Sequence, residues 1–278
     1  MLVTTGSLLE DAASNGYAIG AFNVYNLEGA KAVFQAAESQ RSPVILQLHP
    51  KALRYGGKAL VTLCFAFAEQ AAIKASIHLD HCDDLTMIDF ALAQGITSIM
   101  ADGSGHADAA NIQFTQKAAD KIHRAGGFLE AELGRLTGSE DGLTVAQYNE
   151  KLTDPDQAAD FVRRTNADAL AVCIGNVHGT YRREPKLDFE RLQQIKKKLQ
   201  VPIVMHGASG LPKETVARAI RFGTAKFNVN TELRTAFLGA VRSHDTDNDL
   251  LDFLEAAVTH MQAVASDKIE LFGSKGKC

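Results

Sequence analysis

His81, His178 and His206 each stand at or just beyond the end of a short apolar segment, and neighbouring segments of the same kind end in Asp80, Asp102, Glu132 and Asn228. Any one such histidine is most simply a buried, hydrogen-bonded side chain. Three that converge form the ligand shell of a catalytic zinc, which leaves a fourth position open for substrate. Asp80, beside the first of them, is placed to act as a general acid or base. Asp102 and Glu132 have three readings: a second cation site, an outer shell hydrogen-bonded to the histidines, or structural salt bridges. The step His178-Gly179 is echoed by His206-Gly207-Ala208-Ser209-Gly210, and Asn228-Val229-Asn230-Thr231 leads into a helical stretch. Gly179, Gly207, Ser209, Asn230 and Thr231 therefore read as a phosphate cradle, although tight turns and a helix cap would use the same residues. Lys226 shares the strand parity of Asn228 and so points inward. It is a Schiff-base nucleophile or, in the competing reading, a fixed positive charge beside the site or a structural ion-pair partner.

Positioning these groups requires regular elements. Apolar runs at 18–24, 43–48, 75–80, 97–101, 127–133, 168–174, 201–206 and 224–229 predict strands. Amphipathic spacing predicts helices at 27–39, 58–73, 84–94, 109–124, 155–166, 188–199 and 213–222, with Asp154-Pro155 and Leu211-Pro212 as starts and Gly95, Gly126 and Gly223 as stops. Strand alternating with helix implies a parallel sheet, and eight units closing on themselves give a (β/α)8 TIM barrel. An open doubly wound sheet is the competing arrangement. Barrel active sites gather at the C-terminal strand ends, where these polar residues fall. A Gly-rich polar stretch at 134–142 and a C-terminal helical extension at 250–271 lie outside the repeat. No linker or composition break divides the chain, so residues 1–278 read as a single domain.

Composition narrows the function further. With 29 Lys+Arg against 33 Asp+Glu, the net charge of −4 offers no basic face for nucleic acid. Lys196-Lys197-Lys198 suits the last turn of a solvated helix. No run approaches a membrane span, and the first residues lack a basic segment followed by an apolar one, so a cytoplasmic protein without membrane contact is expected. Cys64, Cys82, Cys173 and Cys278 form neither a disulfide framework nor a thiolate zinc site, and Cys82 is read as packing. His78, His106, His123, His244 and His260 are read as structural or exposed.

The chain resembles the class II, metal-dependent ketose-bisphosphate aldolases, the family of the fructose- and tagatose-1,6-bisphosphate enzymes. The matching segments are Ala21-Phe22-Asn23, His78-Leu79-Asp80-His81, Ser98-Ile99-Met100-Ala101-Asp102, Glu130-Ala131-Glu132-Leu133-Gly134 with Gly138-Ser139-Glu140-Asp141, Ile174-Gly175-Asn176-Val177-His178-Gly179, His206-Gly207-Ala208-Ser209-Gly210-Leu211 and Lys226-Phe227-Asn228-Val229-Asn230-Thr231-Glu232-Leu233. They occur in the family's order, nearly end to end.

The resemblance implies a lyase that cleaves a ketose 1,6-bisphosphate to dihydroxyacetone phosphate and an aldehyde such as glyceraldehyde 3-phosphate. It implies one catalytic Zn²⁺ on His81, His178 and His206, with Asp102 and Glu132 at a second or transient metal position. Asp80 would exchange the proton of the C4 hydroxyl, Glu140 the proton of the enediolate carbon, and Asn228 would hold the enediolate. Asn23, Gly179, Gly207, Ser209, Asn230 and Thr231 would bind substrate, with a monovalent cation near the phosphate. A homodimer or homotetramer follows from the same resemblance. Two departures fall on the aldehyde side. His49 stands where many relatives have Ser or Thr, and the tail segment 247–253 lacks the arginine of the family's Asp-Pro-Arg. These departures allow a non-phosphorylated aldehyde partner.

Overall fold

The computed structural model describes residues 1–140, 143–145, 151–179, 186–243 and 249–278, with the backbone alone at 137–140, 143–145 and 178. The chain opens with α1 (Thr5–Asn15), β1 (Ile19–Asn23), α2 (Leu27–Gln40), β2 (Val44–Leu48), α3 (Pro50–Gln70), β3 (Ala75–Cys82) and α4 (Leu85–Ala93). It continues through β4 (Ser98–Ala101), α5 (Asp108–Arg124), β5 (Phe128–Leu133), β6 (Thr137–Glu140), β7 (Leu143–Val145), α6 (Pro155–Thr165) and β8 (Ala169–Val172). The last elements are β9 (Val177–His178), α7 (Phe189–Lys198), β10 (Ile203–Met205), α8 (Lys213–Arg221), β11 (Thr224–Val229), α9 (Thr231–Ser243) and α10 (Leu250–Phe272).

Eight parallel strands close a barrel in the order β1-β11-β10-β8-β5-β4-β3-β2, the (β/α)8 fold the alternating pattern predicts. The open sheet is thereby excluded. Local chemistry marks the boundaries. Asn26, Asp84, Asp154 and Asp188 accept backbone N–H bonds at the starts of α2, α4, α6 and α7, and the left-handed Gly16 closes α1. The Lys196–Lys198 run is the last turn of α7, as its composition suggests.

Apolar side chains form two separate layers. One cluster fills the space between strands and outer helices, including Phe22, Leu46, Leu79, Phe161 and Phe227, and takes in Met261, Ile269 and Phe272 of α10. Phe272 stacks on Phe227 at 4.8 Å, and burial of one such ring contributes about 2–3 kcal/mol. The other cluster lies inside the barrel, where Ile19, Ile45, Met100, Ala169 and Val204 meet Leu8, Leu9 and Ala12 of α1. Helix α1, absent from the expected elements, thus plugs the N-terminal mouth.

Two further differences have local causes. Helix α3 starts at Pro50 rather than 58, because a kink at Gly57 (φ 53°) lets it run through the Gly56-Gly57 step. The Gly-rich stretch contains β6, which pairs antiparallel with β7 and parallel with β9, a small sheet over the C-terminal side of the barrel. Among the described residues no helix is long and apolar enough to cross a membrane.

Candidate active site

Ideal strand alternation would send the adjacent Asp80 and His81 to opposite faces. Strand β3 avoids this with a bulge: its register against β4 shifts between Leu79 and Cys82, and His81 takes a left-handed backbone (φ 47°). A non-glycine residue in that conformation costs about 1 kcal/mol or more. The cost brings two consecutive functional side chains to one mouth, while Cys82 resumes the pleat and packs among the outer helices.

Both rings at this mouth are held from behind by carboxylates. His81 Nδ1 lies 2.7 Å from Asp102 Oδ2, whose other oxygen accepts the Ser104 N–H at 3.0 Å. His206 Nε2 donates to Glu130 Oε1 at 3.2 Å. In its neutral form each ring then carries its lone pair on the opposite nitrogen, Nε2 of His81 and Nδ1 of His206. The rings meet edge to face at 4.6 Å. Glu132 sits between them, its Oε2 lying 3.9 Å from His81 Nδ1 and 3.6 Å from His206 Nδ1. That oxygen is a buried acceptor with no hydrogen bond among the described residues.

Asp80 is buried, and both of its oxygens are occupied by amides. Asn23 Nδ2 donates to Oδ2 at 2.8 Å and Asn228 Nδ2 to Oδ1 at 3.0 Å. Asn23 in turn accepts from Gln47 Nε2 at 3.0 Å, and Asn228 accepts from Lys226 Nζ at 2.8 Å. Lys226 is wholly buried and ion-paired with Glu130 at 2.9 Å. This geometry favours the fixed-charge reading of Lys226 over the Schiff base. His78 lies deeper in the barrel, Nδ1 on Ser98 at 2.8 Å and Nε2 3.7 Å from Glu130. Its structural reading holds, and the inward parity it shares with Asp80 was the signal for its place.

Charge crowding sets the titrations. Burial would raise the Asp80 carboxyl, but His81, Lys226, His206 and the Asn23 bond outweigh it and hold it well below the carboxylate range. Burial likewise opposes ionisation of Glu130, yet Lys226 draws it down to about 2. Glu132 goes the other way: burial, reinforced by Asp102, lifts it well above its usual range. Burial disfavours the charged His81 ring, but Asp80, Asp102 and Glu132 overcome this and raise it. Burial pushes His206 down to about 4 and His78 to about 3.

Asp80, His81 and His206 place ligand atoms within 4.8 Å of one another, and so do His81, Asp102 and Glu132. Two imidazoles braced by carboxylates, with a buried acceptor between them, suit a divalent cation. Asp102 has both oxygens engaged and fits the bracing role; Glu132 fits a ligand. Because protons and a cation compete for the same lone pairs, and the surroundings of Glu132 and His81 favour their protonated forms, cation binding should release about one proton or more per ion and tighten as pH rises. Calorimetry in buffers of different ionisation enthalpy measures this, and zero net release would contradict the arrangement.

The cradle residues gather nearby. Asn176, which the sequence marks only within a motif, donates to the His206 carbonyl at 3.0 Å and so ties the turn before Val177 to β10. Gly179 and Gly207 have positive φ, and a Cβ on Gly207 would lie 1.9 Å from the Val177 carbonyl oxygen. Gly210 N–H donates to Glu232 Oε1 at 3.1 Å, joining the Ser209 loop to the first turn of α9, and Glu232 also pairs with Lys268 of α10. Asn230 accepts from the Tyr25 hydroxyl at 2.9 Å, while the Thr231 hydroxyl is buried without a hydrogen-bond partner among the described residues. The side chains of His178 and Glu140 lie outside the described residues, as do Asp141 and His244. His49 is buried and caps α3, its Nδ1 accepting the Lys51 N–H at 3.1 Å, which places the ring proton on Nε2.

A parallel barrel whose C-terminal mouth carries braced imidazoles beside a buried carboxylate defines a barrel enzyme with a candidate metal centre. The chain belongs to the class II fructose-bisphosphate aldolases, whose family model matches residues 3–277, and it is therefore a carbon–carbon lyase. It is similar to the YdjI aldolase of Escherichia coli K12, at 37% identity and TM-score 0.90, over 100% of this chain and 99% of that one. A candidate fructose-1,6-bisphosphate aldolase from Coccidioides immitis is 34% identical, with TM-score 0.94, over 98% and 97% of the two chains. A fructose-bisphosphate aldolase from Campylobacter jejuni, at 23% identity and TM-score 0.83 over 100% and 97%, shares the fold.

Proposed function

We propose that this enzyme reversibly cleaves a ketose 1,6-bisphosphate to dihydroxyacetone phosphate and an aldehyde such as glyceraldehyde 3-phosphate. The observation that carries the reading is Asp80, a buried carboxylate aimed by two amides within the ligand group of His81 and His206. His81, His178 and His206 would hold the zinc ion, with Glu132 as an additional ligand. When bound, zinc supplies Lewis acidity toward the ketone oxygen.

The chain's own groups then divide the work. Asp80, ionised at neutral pH, takes the C4 hydroxyl proton as the C3–C4 bond breaks and returns it in condensation. Asn228 holds the oxygens of the resulting enediolate, and Glu140 exchanges the proton on its carbon. Gly179, Gly207, Ser209, Asn230 and Thr231 bind the ketone-side phosphate, with the N-terminus of α9 contributing its dipole and a monovalent cation beside it. Asn23 keeps Asp80 turned toward the substrate. The barrel works as a homo-oligomer in this reading.

The decisive experiment follows exchange of the dihydroxyacetone phosphate C–H proton in D₂O by NMR. It compares native enzyme, enzyme stripped with chelator and enzyme with zinc restored. Exchange should vanish on stripping and return with zinc; exchange that survives stripping would overturn the metal-dependent reading. A second reading, with a non-phosphorylated aldehyde, is favoured by His49, whose imidazole caps α3 and presents an N–H rather than a hydroxyl. Comparing kcat/KM on ketose bisphosphates with monophosphates separates the two.

A further inference from the structure

We infer that Lys226 and Glu130 are positioning residues that aim Asn228 and His206 at a common point; the inference rests on the aldolase reading above. Interior layers of such barrels are ordinarily filled by branched apolar side chains. The cluster inside this barrel obeys that rule with Ile19, Ile45 and Val204. In register with Ile19 and Val204, however, stands the wholly buried ammonium of Lys226, 2.9 Å from the buried carboxylate of Glu130. A buried pair of this kind gives little net stability over an apolar pair of the same volume, so stability does not account for it.

Direction does. An ammonium can only donate. At 2.8 Å from Asn228 Oδ1, Lys226 Nζ obliges that oxygen to face it, which leaves Nδ2 for Asp80 Oδ1 at 3.0 Å. Without that donor the amide oxygen would turn toward any donor the pocket offers, substrate hydroxyls included. Glu130 completes the clamp. One carboxylate serves Lys226 and also accepts from His206 Nε2, so the imidazole keeps its Nδ1 lone pair toward Glu132 and the mouth. On the other side of Asp80, Gln47 fixes Asn23 by the same device with a neutral donor. The hydrogen bonds by which Lys226 and Glu130 position the site run through Asn228 and His206.

The test uses full-length enzyme and a double variant. Lys226→Met alone strands the Glu130 charge and so confounds folding with function. Glu130→Gln/Lys226→Met removes both charges and keeps an acceptor for His206. The expected double variant melts within about 5 °C of the parent. It retains the visible spectrum of the Co²⁺-loaded site, and its KM stays within about threefold while kcat falls about 100-fold, the scale of one lost preorganised donor. A double variant that turns over like the parent would show that the pair is ballast and overturn the proposal.

A second measurement does not depend on turnover. With [¹⁵N]asparagine labelling and assignment through Asn228→Asp, the Asn228 side-chain amide should be protected from hydrogen exchange in the parent and exchange about tenfold faster or more in the double variant. An Asn228 amide that is unprotected in the parent, or unchanged in the double variant, overturns the clamp whatever the activity. A parent that cleaves no ketose phosphate while its Asn228 amide is protected overturns the aldolase reading and leaves the clamp supported.

Discussion

Asp80→Asn should yield a folded, cation-binding protein whose aldol cleavage is slower by about 10³-fold, the middle of the range for losing a positioned general base. The substitution keeps size and shape but replaces one acceptor oxygen with an NH₂ group. That group must face either Asn23 or Asn228, each now donating to Asp80. Opposing two donors costs about 1–3 kcal/mol, a visible but survivable loss of stability. The chemistry should split. Proton exchange on dihydroxyacetone phosphate, assigned to Glu140, should persist within about tenfold, whereas C–C cleavage collapses. Parallel NMR exchange and coupled cleavage assays measure the two halves. Equal loss of both would remove Asp80 from its special place in bond cleavage, and cleavage within about tenfold of the parent would remove it from catalysis.

Gly207→Ala carries the second large effect, and here the cause is steric. Gly207 has φ 69° and its added Cβ would stand 1.9 Å from the Val177 carbonyl oxygen, a backbone atom that cannot swing aside. Relief requires moving either His206 with its loop or the Val177–His178 segment, both of which carry candidate ligands. The expected loss is about 3 kcal/mol in stability, with cation affinity down about 10- to 100-fold. Gly126 supplies the control. It shares φ 69°, but an added Cβ there would meet nothing within 4 Å, so Gly126→Ala should cost only the left-handed backbone term, about 1 kcal/mol. Thermal unfolding and zinc titration of both variants separate crowding from conformation, and equal costs would refute the close-approach account.

The barrel strands were readable because each is almost wholly buried and appears as a short, mainly apolar run, even where His78, Glu130 or Lys226 interrupts it. Helix α1 escaped notice because its stripe of Leu8, Leu9 and Ala12 is short, and only the closed barrel beneath it explains why those residues are apolar. The small sheet of β6, β7 and β9 has strands too brief to imprint a period on the sequence. At the site, residue types at strand ends announced His81, His206, Asp80 and Asn228. Strand parity indicated that Lys226 points inward, but its partner could not be chosen before the register placed Glu130 across the barrel. Glu130 had its own signal in Glu130-Ala131-Glu132, two carboxylates on one face of a strand. Which carboxylate braces a ring and which stands open between rings was legible only in three dimensions, since it depends on ångström offsets between neighbouring strands.

The bulge in β3 bears on any attempt to transplant this chemistry. A designer who copies the side chains of Asp80 and His81 onto a regular strand of another barrel will seat one of them in the lumen and the other against the surrounding helices. The unit to graft is therefore a backbone irregularity together with its residues: the register slip, the left-handed turn at His81 and the Asp102 carboxylate that receives the ring. Idealised scaffolds, chosen because their strands contain no such slip, are the ones least able to accept it.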